Sequence, residues 1–403
     1  MELLGNFFVI TLVKTAVVAF ILLTTLAYLQ WIERKVIAHV QARVGPYRVG
    51  PHGLLQPLAD VVKLMTKEDL IPDHVNAFFY VLAPFMAVAL ALTNIAVIPF
   101  GPAIDIYGHK TNLGLADINI GVLLILAVSS LGVYGIALGG WASNNKYALM
   151  GGLRSSAQMI SYELPMTLAI AAPLLLSNSL NLREIVDTQS GYVLGFIPNW
   201  NVFSGGQIFG FLLFMIAAFA ETNRIPFDLP EAENELVAGF HTEYSSMKFA
   251  GFFLAEYANM VTVWSVATML FLGGWHSPIA SEPGSGVAIA LINFGAAAIL
   301  FFHAMHAARP FDKITFPVFG VIFTGLGAVF LAGAFVWPSL GAAINGLFWY
   351  AAKTLALLFI FIWIRATLPR FRYDQLMRFA WLFMFPAALL NMLITALFVA
   401  LKG

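Results

Sequence analysis

Long apolar runs recur along the whole chain and are separated by shorter polar connections. A helix rises about 1.5 Å per residue, so a run of roughly 20 apolar residues matches a bilayer core about 30 Å thick. The pattern predicts an all-α integral membrane protein that forms one membrane domain over residues 1–403. About ten membrane-spanning helices are expected, at approximately 7–30, 78–100, 118–140, 158–177, 205–223, 248–272, 286–307, 314–337, 347–365 and 380–401.

Composition supports this class and excludes several others. Of the 403 residues, 60% are hydrophobic and only 10% are charged, whereas soluble proteins carry about a quarter charged residues. The absence of cysteine excludes disulfides, thiolate-ligated iron–sulfur clusters and covalently attached haem. No nucleotide-binding motif is present. The charge is balanced, with 21 basic and 21 acidic residues, so it indicates no nucleic-acid partner.

The distribution of lysine and arginine predicts the orientation of the helices. If the N-terminus is outside, most of the basic residues fall within or beside the connections on the inner side, at 31–77, 141–157, 224–247, 308–313 and 366–379. Connections on the cytoplasmic side of membrane proteins carry an excess of lysine and arginine. The pattern therefore predicts an even number of spans with both termini on the outer side.

The first inner loop, 31–77, is long and contains two Gly-Pro turns, Gly45-Pro46 and Gly50-Pro51. Apolar residues then recur at helical spacing and alternate with Asp60 and Lys63, which predicts an amphipathic helix at the membrane surface. A lipid-facing anchor explains this pattern on physical grounds alone. A loop of this length, however, is uncommon unless it forms a site.

The inner loop 221–247 is acidic, although it lies on the side expected to be basic. Two prolines prevent a continuous helix through its first half. A solvated acidic loop is the simplest interpretation. Carboxylates confined between two spans repel one another, however, and we expect some of them to exchange protons near neutral pH. A single Arg224 opposes Glu221, Asp228, Glu231, Glu233, Glu235 and Glu243.

The last inner loop is rich in arginine. Arginine forks suit carboxylate partners, so we predict that this loop meets the acidic loop. Anchoring by the positive-inside rule is the alternative, but it does not explain the preference for arginine. The residues concerned are Arg365, Arg370, Arg372, Asp374 and Arg378.

Three charged residues, Glu163, Glu256 and Lys353, fall inside predicted spans. Ionisable groups in the membrane are costly and by default indicate an ion or proton path. Glu256 lies deepest, whereas Glu163 is near the inner face and could instead have a structural role at a helix end. His303 and His306 have the spacing of a metal-binding pair, but no second pair accompanies them, so we expect no metal site.

Several segments, in a fixed order along the chain, form a distinctive set: E-R-K, R-V-G-P-Y-R-V-G-P-H-G-L-L-Q-P-L-A-D, G-W-A-S-N-N-K-Y-A-L-M-G-G-L-R, E-T-N-R-I-P-F-D-L-P-E-A-E-N-E-L-V-A-G-F and R-F-R-Y-D-Q-L-M. Together they resemble the H subunit of respiratory complex I, the bacterial counterpart of mitochondrial NADH dehydrogenase subunit 1. The likeness covers about 1–278 and 348–403.

The resemblance implies a non-redox subunit of a proton-pumping NADH:quinone oxidoreductase, lying at the heel of the membrane arm against the hydrophilic arm. Such a subunit forms much of the chamber through which quinone, the substrate, enters from the bilayer. It also starts a line of buried carboxylates that couples quinone reduction to proton pumping. Iron–sulfur clusters, FMN and NADH then bind to partner subunits, and no cofactor binds to this chain.

Site residues are carried over by motif. The resemblance assigns Glu33, Arg34, Arg43, Asp60, Lys63, Glu221, Arg224, Asp228, Glu231, Glu233 and Glu235 to the quinone chamber. It assigns Glu163, Glu221 and Glu256 to the proton path. Arg365, Arg370, Arg372 and Asp374 are expected to brace the acidic loop. The expected neighbours are the quinone-reducing and cluster-bearing hydrophilic subunits, small membrane subunits, quinone and lipid.

The chain departs from the eight-span pattern of the family over 279–347, where two helices are predicted to be inserted. An even insertion keeps the last inner loop inside, and the role of the helix pair is open.

Alternatives to the quinone enzyme are the homologous component of a membrane-bound hydrogenase or ferredoxin-linked complex, a stand-alone ion transporter, and a passive anchor. The resemblance favours a multi-pass protein of the bacterial inner membrane.

Overall fold

The computed structural model of the chain describes residues 7–106, 109–193, 195–204, 206–228, 237–279, 284–307 and 312–402. Helices dominate, which confirms the all-α membrane class. They are α1 (Phe7–Val40), α2 (Gln56–Thr66), α3 (Ala77–Ala96), α4 (Gly121–Ala142), α5 (Lys146–Ser177), α6 (Leu182–Thr188), α7 (Gln207–Glu221), α8 (Ser246–Phe271), α9 (Gly284–Met305), α10 (Asp312–Phe335), α11 (Pro338–Thr367), α12 (Tyr373–Phe379) and α13 (Phe385–Lys402).

Short elements join these helices. A π-helical turn, Ala380–Met384, connects α12 to α13, and 3-10 turns cover Pro51–Gly53, Asn201–Phe203 and Gly239–His241. Two small antiparallel ribbons lie in connections that were predicted to face outward. One pairs β1 (Ile104–Ile106) with β2 (His109–Thr111), and the other pairs β3 (Tyr192–Val193) with β4 (Ile197–Pro198).

Every predicted span coincides with a helix, but the helices differ in their suitability for crossing a membrane. Eight of those described are long and apolar enough to span a bilayer by length and composition. The other two predicted spans correspond to α7 and α8. Helix α7 has only 15 residues, about 22 Å at 1.5 Å per residue. Helix α8 has 26 residues but is less apolar, because Glu256 and Asn259 interrupt it.

Contacts between the connections show that the connections lie in two groups, one at each end of the helix bundle. The predicted inner connections touch one another, through Asn144 Nδ2 to His74 O at 3.0 Å, Arg370 to Asp228 at 2.9 Å, and Lys248 to Asp69. Two predicted outer connections likewise meet where Tyr192 Oη donates to Ser277 O at 2.8 Å. We call the end that holds 31–77, 224–228, 237–247 and 366–379 the charged end. Its orientation toward the cytoplasm remains a prediction from the distribution of basic residues.

The main core lies between α3, α4, α5, α7, α8 and α11, and its largest fully buried side chains include Tyr80, Tyr162, Phe214, Trp264, Phe271 and Phe361. Small residues let helices α4 and α5 approach closely. A Cβ atom on Gly140 would lie 2.6 Å from Ala148 O. The same atom on Gly132 would meet no heavy atom within 4 Å.

The predicted helix pair at 279–347 forms α9 and α10, which pack on each other and on α11. Its apolar contacts form a separate small cluster around Ile289, Ala290 and Phe330. Gly327 of α10 allows Phe294 of α9 to pack closely, because a Cβ atom at position 327 would lie 2.7 Å from the phenyl ring. The pair is therefore a helical hairpin beside the main core.

These glycines give a test of the packing between α4 and α5. Gly140→Ala is expected to destabilise the protein by about 1–3 kcal/mol, because the new methyl group overlaps a backbone oxygen. Gly132→Ala is the matched control on the same helix, and its methyl group enters open space. The thermal midpoint of the purified complex should fall for the first variant and not for the second. Equal midpoints would contradict the close approach.

Candidate functional site

A buried network of charged side chains joins distant parts of the chain at the charged end. Glu33 of α1 pairs with Arg365 of α11 and accepts a hydrogen bond of 2.8 Å from Tyr257 Oη. Arg224, which follows α7, has its Nη1 atom 3.9 Å from Glu33 Oε1 and pairs with Glu256 of α8. Two carboxylates and two guanidinium groups balance one another. This pairing offsets part of the cost of removing the charges from water.

Arg224 is the centre of this network, and only 3% of its surface is exposed. Its guanidinium group lies 4.8 Å from the ring centroid of Tyr257 and 5.7 Å from that of Phe253. Aromatic faces stabilise a desolvated cation. Arg224 is thus held by two carboxylates and two rings, all within the interior of the bundle.

The turn that carries Arg224 is fixed by Gln158 of α5. Gln158 Nε2 donates to Ala220 O and to Phe227 O, both at 2.8 Å, and therefore closes the turn from both sides. Asn223 adopts φ 51°, a left-handed conformation that asparagine tolerates. The described part of the acidic loop, 221–228, is thus mostly buried and not solvated. Glu231, Glu233 and Glu235 lie outside the described residues.

The acidic loop and the last arginine loop are in contact. Arg370 Nη2 lies 2.9 Å from Asp228 Oδ2, and Phe371 N donates to Pro226 O at 3.1 Å. Of the four residues expected to brace the acidic loop, Arg370 contacts its described part, residues 221–228. Arg365 lies within α11 and pairs with Glu33 of α1. Arg372 pairs with Asp374 at 3.1 Å in its own exposed loop.

Two further carboxylates hydrogen-bond to consecutive serines of α4. Ser129 donates to Glu221 and Ser130 donates to Glu163. Glu221 ends α7 and Glu163 lies within α5, so the two serines connect acids from different helices. The pairs lie side by side on one stretch of α4, which brings two of the three predicted proton-path residues, Glu221 and Glu163, into the same neighbourhood.

A cavity of about 50 Å³ lies between this serine pair and the ion network. Its lining includes Asn94, Ser129, Glu221, His241, Glu256 and Asn259. A cavity of roughly 10–15 Å³ already has room for a water molecule, so this one is large enough to hold water. Both Glu221 and Glu256 line the cavity, which therefore offers a polar connection between them.

The first inner loop is linked to α1 through α2, the helix that follows its two Gly-Pro turns. Arg34 of α1 pairs with Asp60 of α2 at 2.6 Å, and Gln56 Nε2 donates to the same carboxylate at 2.8 Å. The residues predicted to form the apolar face of α2 are exposed in the isolated chain, as expected for a helix that lies on a membrane. Arg43 and Lys63 are exposed on this loop and helix.

Sequence reasoning missed the polar partners of the charged residues. Ser129 and Ser130 sit in an apolar helix, where serine is too common to be a signal. Gln158 and Tyr257 likewise have no local pattern that indicates their long-range hydrogen bonds. Among the described residues, no group of three or more His, Cys, Asp or Glu side chains could hold a metal ion.

Comparisons with known proteins agree with the sequence motifs. A family model described as NADH dehydrogenase matches residues 13–396. The chain is 63% identical over 402 residues to the NADH-quinone oxidoreductase H subunit 1 of Solibacter usitatus, covering 99% of both chains. It is 49% identical to the H subunit 2 of Koribacter versatilis over 98% of both chains. The H subunit 2 of Geobacter metallireducens is 44% identical over 99% of both chains. These full-length alignments extend through the α9–α10 region.

The balance of charge in the network can be tested by removing one partner or both. Arg365→Met leaves Glu33 without its closest cation and should cost about 3–5 kcal/mol of stability. The double variant Arg365→Met/Glu33→Gln removes both charges and should recover much of that loss. Thermal unfolding of the purified complex measures the difference.

Arg372→Met provides the control for this experiment. In the described part of the chain this arginine pairs with Asp374, an exposed neighbour, so its loss should change stability by less than about 0.5 kcal/mol. A double variant as unstable as Arg365→Met would show that charge balance does not hold the network together.

Proposed function

The chain belongs to the NADH dehydrogenase family, and we propose that it forms the quinone-access chamber and the start of the proton-coupling path in a proton-pumping NADH:quinone oxidoreductase. The observation that carries the proposal is the buried network of Glu33, Arg224, Glu256 and Arg365 at the base of the acidic loop. It joins the surfaces assigned to the chamber to a carboxylate within α8. A change of charge in the chamber can therefore alter the ion pair of Arg224 with Glu256 inside the membrane.

The chain contributes no redox centre to this reaction. It has no cysteine to hold an iron–sulfur cluster, and electrons arrive from partner subunits that carry the clusters and FMN. Quinone is the substrate. Reduction of a quinone by two electrons requires two protons, so negative charge develops on the quinone until protons reach it.

Arg224 responds first to that charge. The guanidinium group is shared between Glu33 and Glu256, and a new negative charge nearby attracts it. A weaker ion pair with Arg224 leaves Glu256 less stabilised as a carboxylate, so Glu256 takes up a proton. Asp228 and Arg370, which lie in contact beside this turn, close the chamber side of the network.

The cavity then connects Glu256 to Glu221. Water molecules in a polar cavity can pass a proton between carboxylates, and the hydrogen bond from Ser129 orients Glu221 toward α4. Ser130, the next residue, orients Glu163 in the same way. We propose the order Glu256, Glu221, Glu163 for the path that leads away from the quinone chamber.

The proposed location is the bacterial inner membrane, with both termini on the outer side. The charged end then faces the cytoplasm, where Arg34, Asp60 and the acidic loop can meet the hydrophilic subunits. Relatives named for NADH-quinone oxidoreductase favour this complex over a hydrogenase or a stand-alone transporter.

Glu256→Gln tests the path directly. The amide keeps the size of the side chain but cannot carry a proton, so NADH:quinone turnover and proton pumping should both fall at least about tenfold, as for loss of a proton-transfer group. Glu184→Gln, the same change at the opposite end of the bundle, should leave both intact. Normal pumping by a fully assembled Glu256→Gln complex would exclude Glu256 from the path.

The acidic residues outside the described structure require their own test. The double variant Glu231→Gln/Glu233→Gln should lower inhibitor-sensitive NADH:quinone activity in membranes, because it removes carboxylates assigned to the chamber. Assembly is checked by the amount of the chain that co-purifies with the other subunits. Unchanged activity would mean that this part of the loop is only a solvated surface.

A further inference from the structure

The helix pair α9–α10 contacts the first inner loop through His52. His52 Nε2 lies 3.0 Å from Asp312 Oδ1, and Asp312 is the first residue of α10. The imidazole ring also stacks on Phe316, one turn further along α10, with ring centroids 5.9 Å apart. Lipid-facing helices that only pack on a neighbouring helix need no such polar contact with a loop. The contact therefore gives the pair a specific relation to this loop.

The contact on α10 continues back to α1. The ring of Tyr47 meets His52 edge-on at 5.5 Å, and Lys35 of α1 lies 5.5 Å from the centroid of Tyr47. The side chains of Lys35, Tyr47, His52 and Asp312 thus form a row from the first helix to the helix pair. The loop therefore lies between α1 and α10 and contacts both helices.

The backbone at this point is held in an unusual conformation. His52 has φ 51° and ψ 22°, in the left-handed region that residues with a Cβ atom rarely adopt. Gly53 follows with φ 78°, and a Cβ atom there would lie 2.4 Å from Pro46 O. The loop is therefore folded tightly on itself. Strained residues persist where their surroundings hold them, and they concentrate at functional sites.

We propose that α9 and α10 brace the loop segment 45–53 through His52 and thereby fix the shape of the quinone entrance. The second half of this inference rests on the proposed function, because that function assigns the loop to the chamber. The other side of the same loop is fixed by the ion pair of Arg34 with Asp60. With one anchor on α1 and one on α10, the loop has little freedom to close over an incoming quinone.

A double-mutant cycle tests the brace. His52→Asn removes the ring, yet asparagine still tolerates the left-handed conformation. Asp312→Asn removes the charge of its partner. Each single variant should raise KM for a long-tailed quinone by about 3- to 10-fold, with kcat changed by less than about 2-fold, and the double variant should be no worse than either. Glu184→Gln, at the opposite end, is the control. Unchanged KM in the single variants, or additive effects in the double variant, would overturn the proposal.

Cross-linking gives a readout that does not depend on activity. The chain has no cysteine, so His52→Cys/Asp312→Cys can be joined by a short bifunctional thiol reagent without competing sites in this protein. A brace predicts efficient cross-linking in the intact complex and retention of quinone reductase activity afterwards. Failure to cross-link would overturn the contact, and loss of activity on cross-linking would overturn the brace by showing that the contact must open.

The proposed function and the brace by α9 and α10 are contradicted by different results. If an intact wild-type complex reduces no quinone, the proposed function fails, while the cross-link still reports on the contact. If the complex reduces quinone with an unchanged KM in the His52 and Asp312 variants, only the brace fails. Reduction of an artificial acceptor upstream of the quinone step confirms that the variants are assembled.

Discussion

The carboxylate of Glu33 is the point on which the charged end depends. It is 3% exposed and is shared by Arg365, Arg224 and Tyr257, which come from α11, from the turn after α7 and from α8. A buried charge is tolerated only when opposite charges and hydrogen bonds surround it. These distant segments must therefore meet at α1 in one arrangement. The same requirement keeps the acidic turn inside the protein, because Arg224 cannot serve Glu33 and Glu256 from a solvated loop.

At the opposite end of the bundle, the charge of Lys353 is likewise surrounded by polar and aromatic partners. Lys353 of α11 donates to the carbonyl oxygens of Leu272, Gly274 and His276 at 2.6–2.9 Å, and its ammonium group lies 4.2 Å from the Trp200 ring centroid. These carbonyls belong to the turn that follows α8. Beside Lys353, two polar pairs join α11 to α8: Tyr350 to Ser265 at 2.8 Å, and Thr354 to Thr268 at 3.2 Å. Polar contacts thus join α8 and α11 at this end, and Tyr257 of α8 and Arg365 of α11 both contact Glu33 at the charged end.

Hydropathy predicted the positions of the helices, because burial in lipid leaves a long and repetitive signal. It did not predict that α7 would stop after 15 residues, since the turn that ends it is fixed by Gln158 from another helix. The charged residues were identifiable by type, but their partners were not. Arg365 was expected to brace the acidic loop, but no signal in the sequence indicated its pairing with Glu33, which is set by how α11 packs on α1. Ser129 and Ser130 were missed because a serine hydroxyl in an apolar helix gives no periodic signal.

The partners divide these buried and half-buried acids into two kinds. Glu33, Glu256 and Asp228 each face an arginine, so a change of charge nearby alters an ion pair that fixes the positions of helices. Glu221 and Glu163 accept hydrogen bonds from serine hydroxyls, which can turn and donate in another direction at little cost. The first kind suits the conversion of charge into a change of pairing, and the second suits the transfer of a proton. The cavity lies where the two kinds meet, between Glu256 and Glu221. If these acids served only to balance charge, the structure would need neither the serine-bonded acids Glu221 and Glu163 nor the cavity between Glu256 and Glu221.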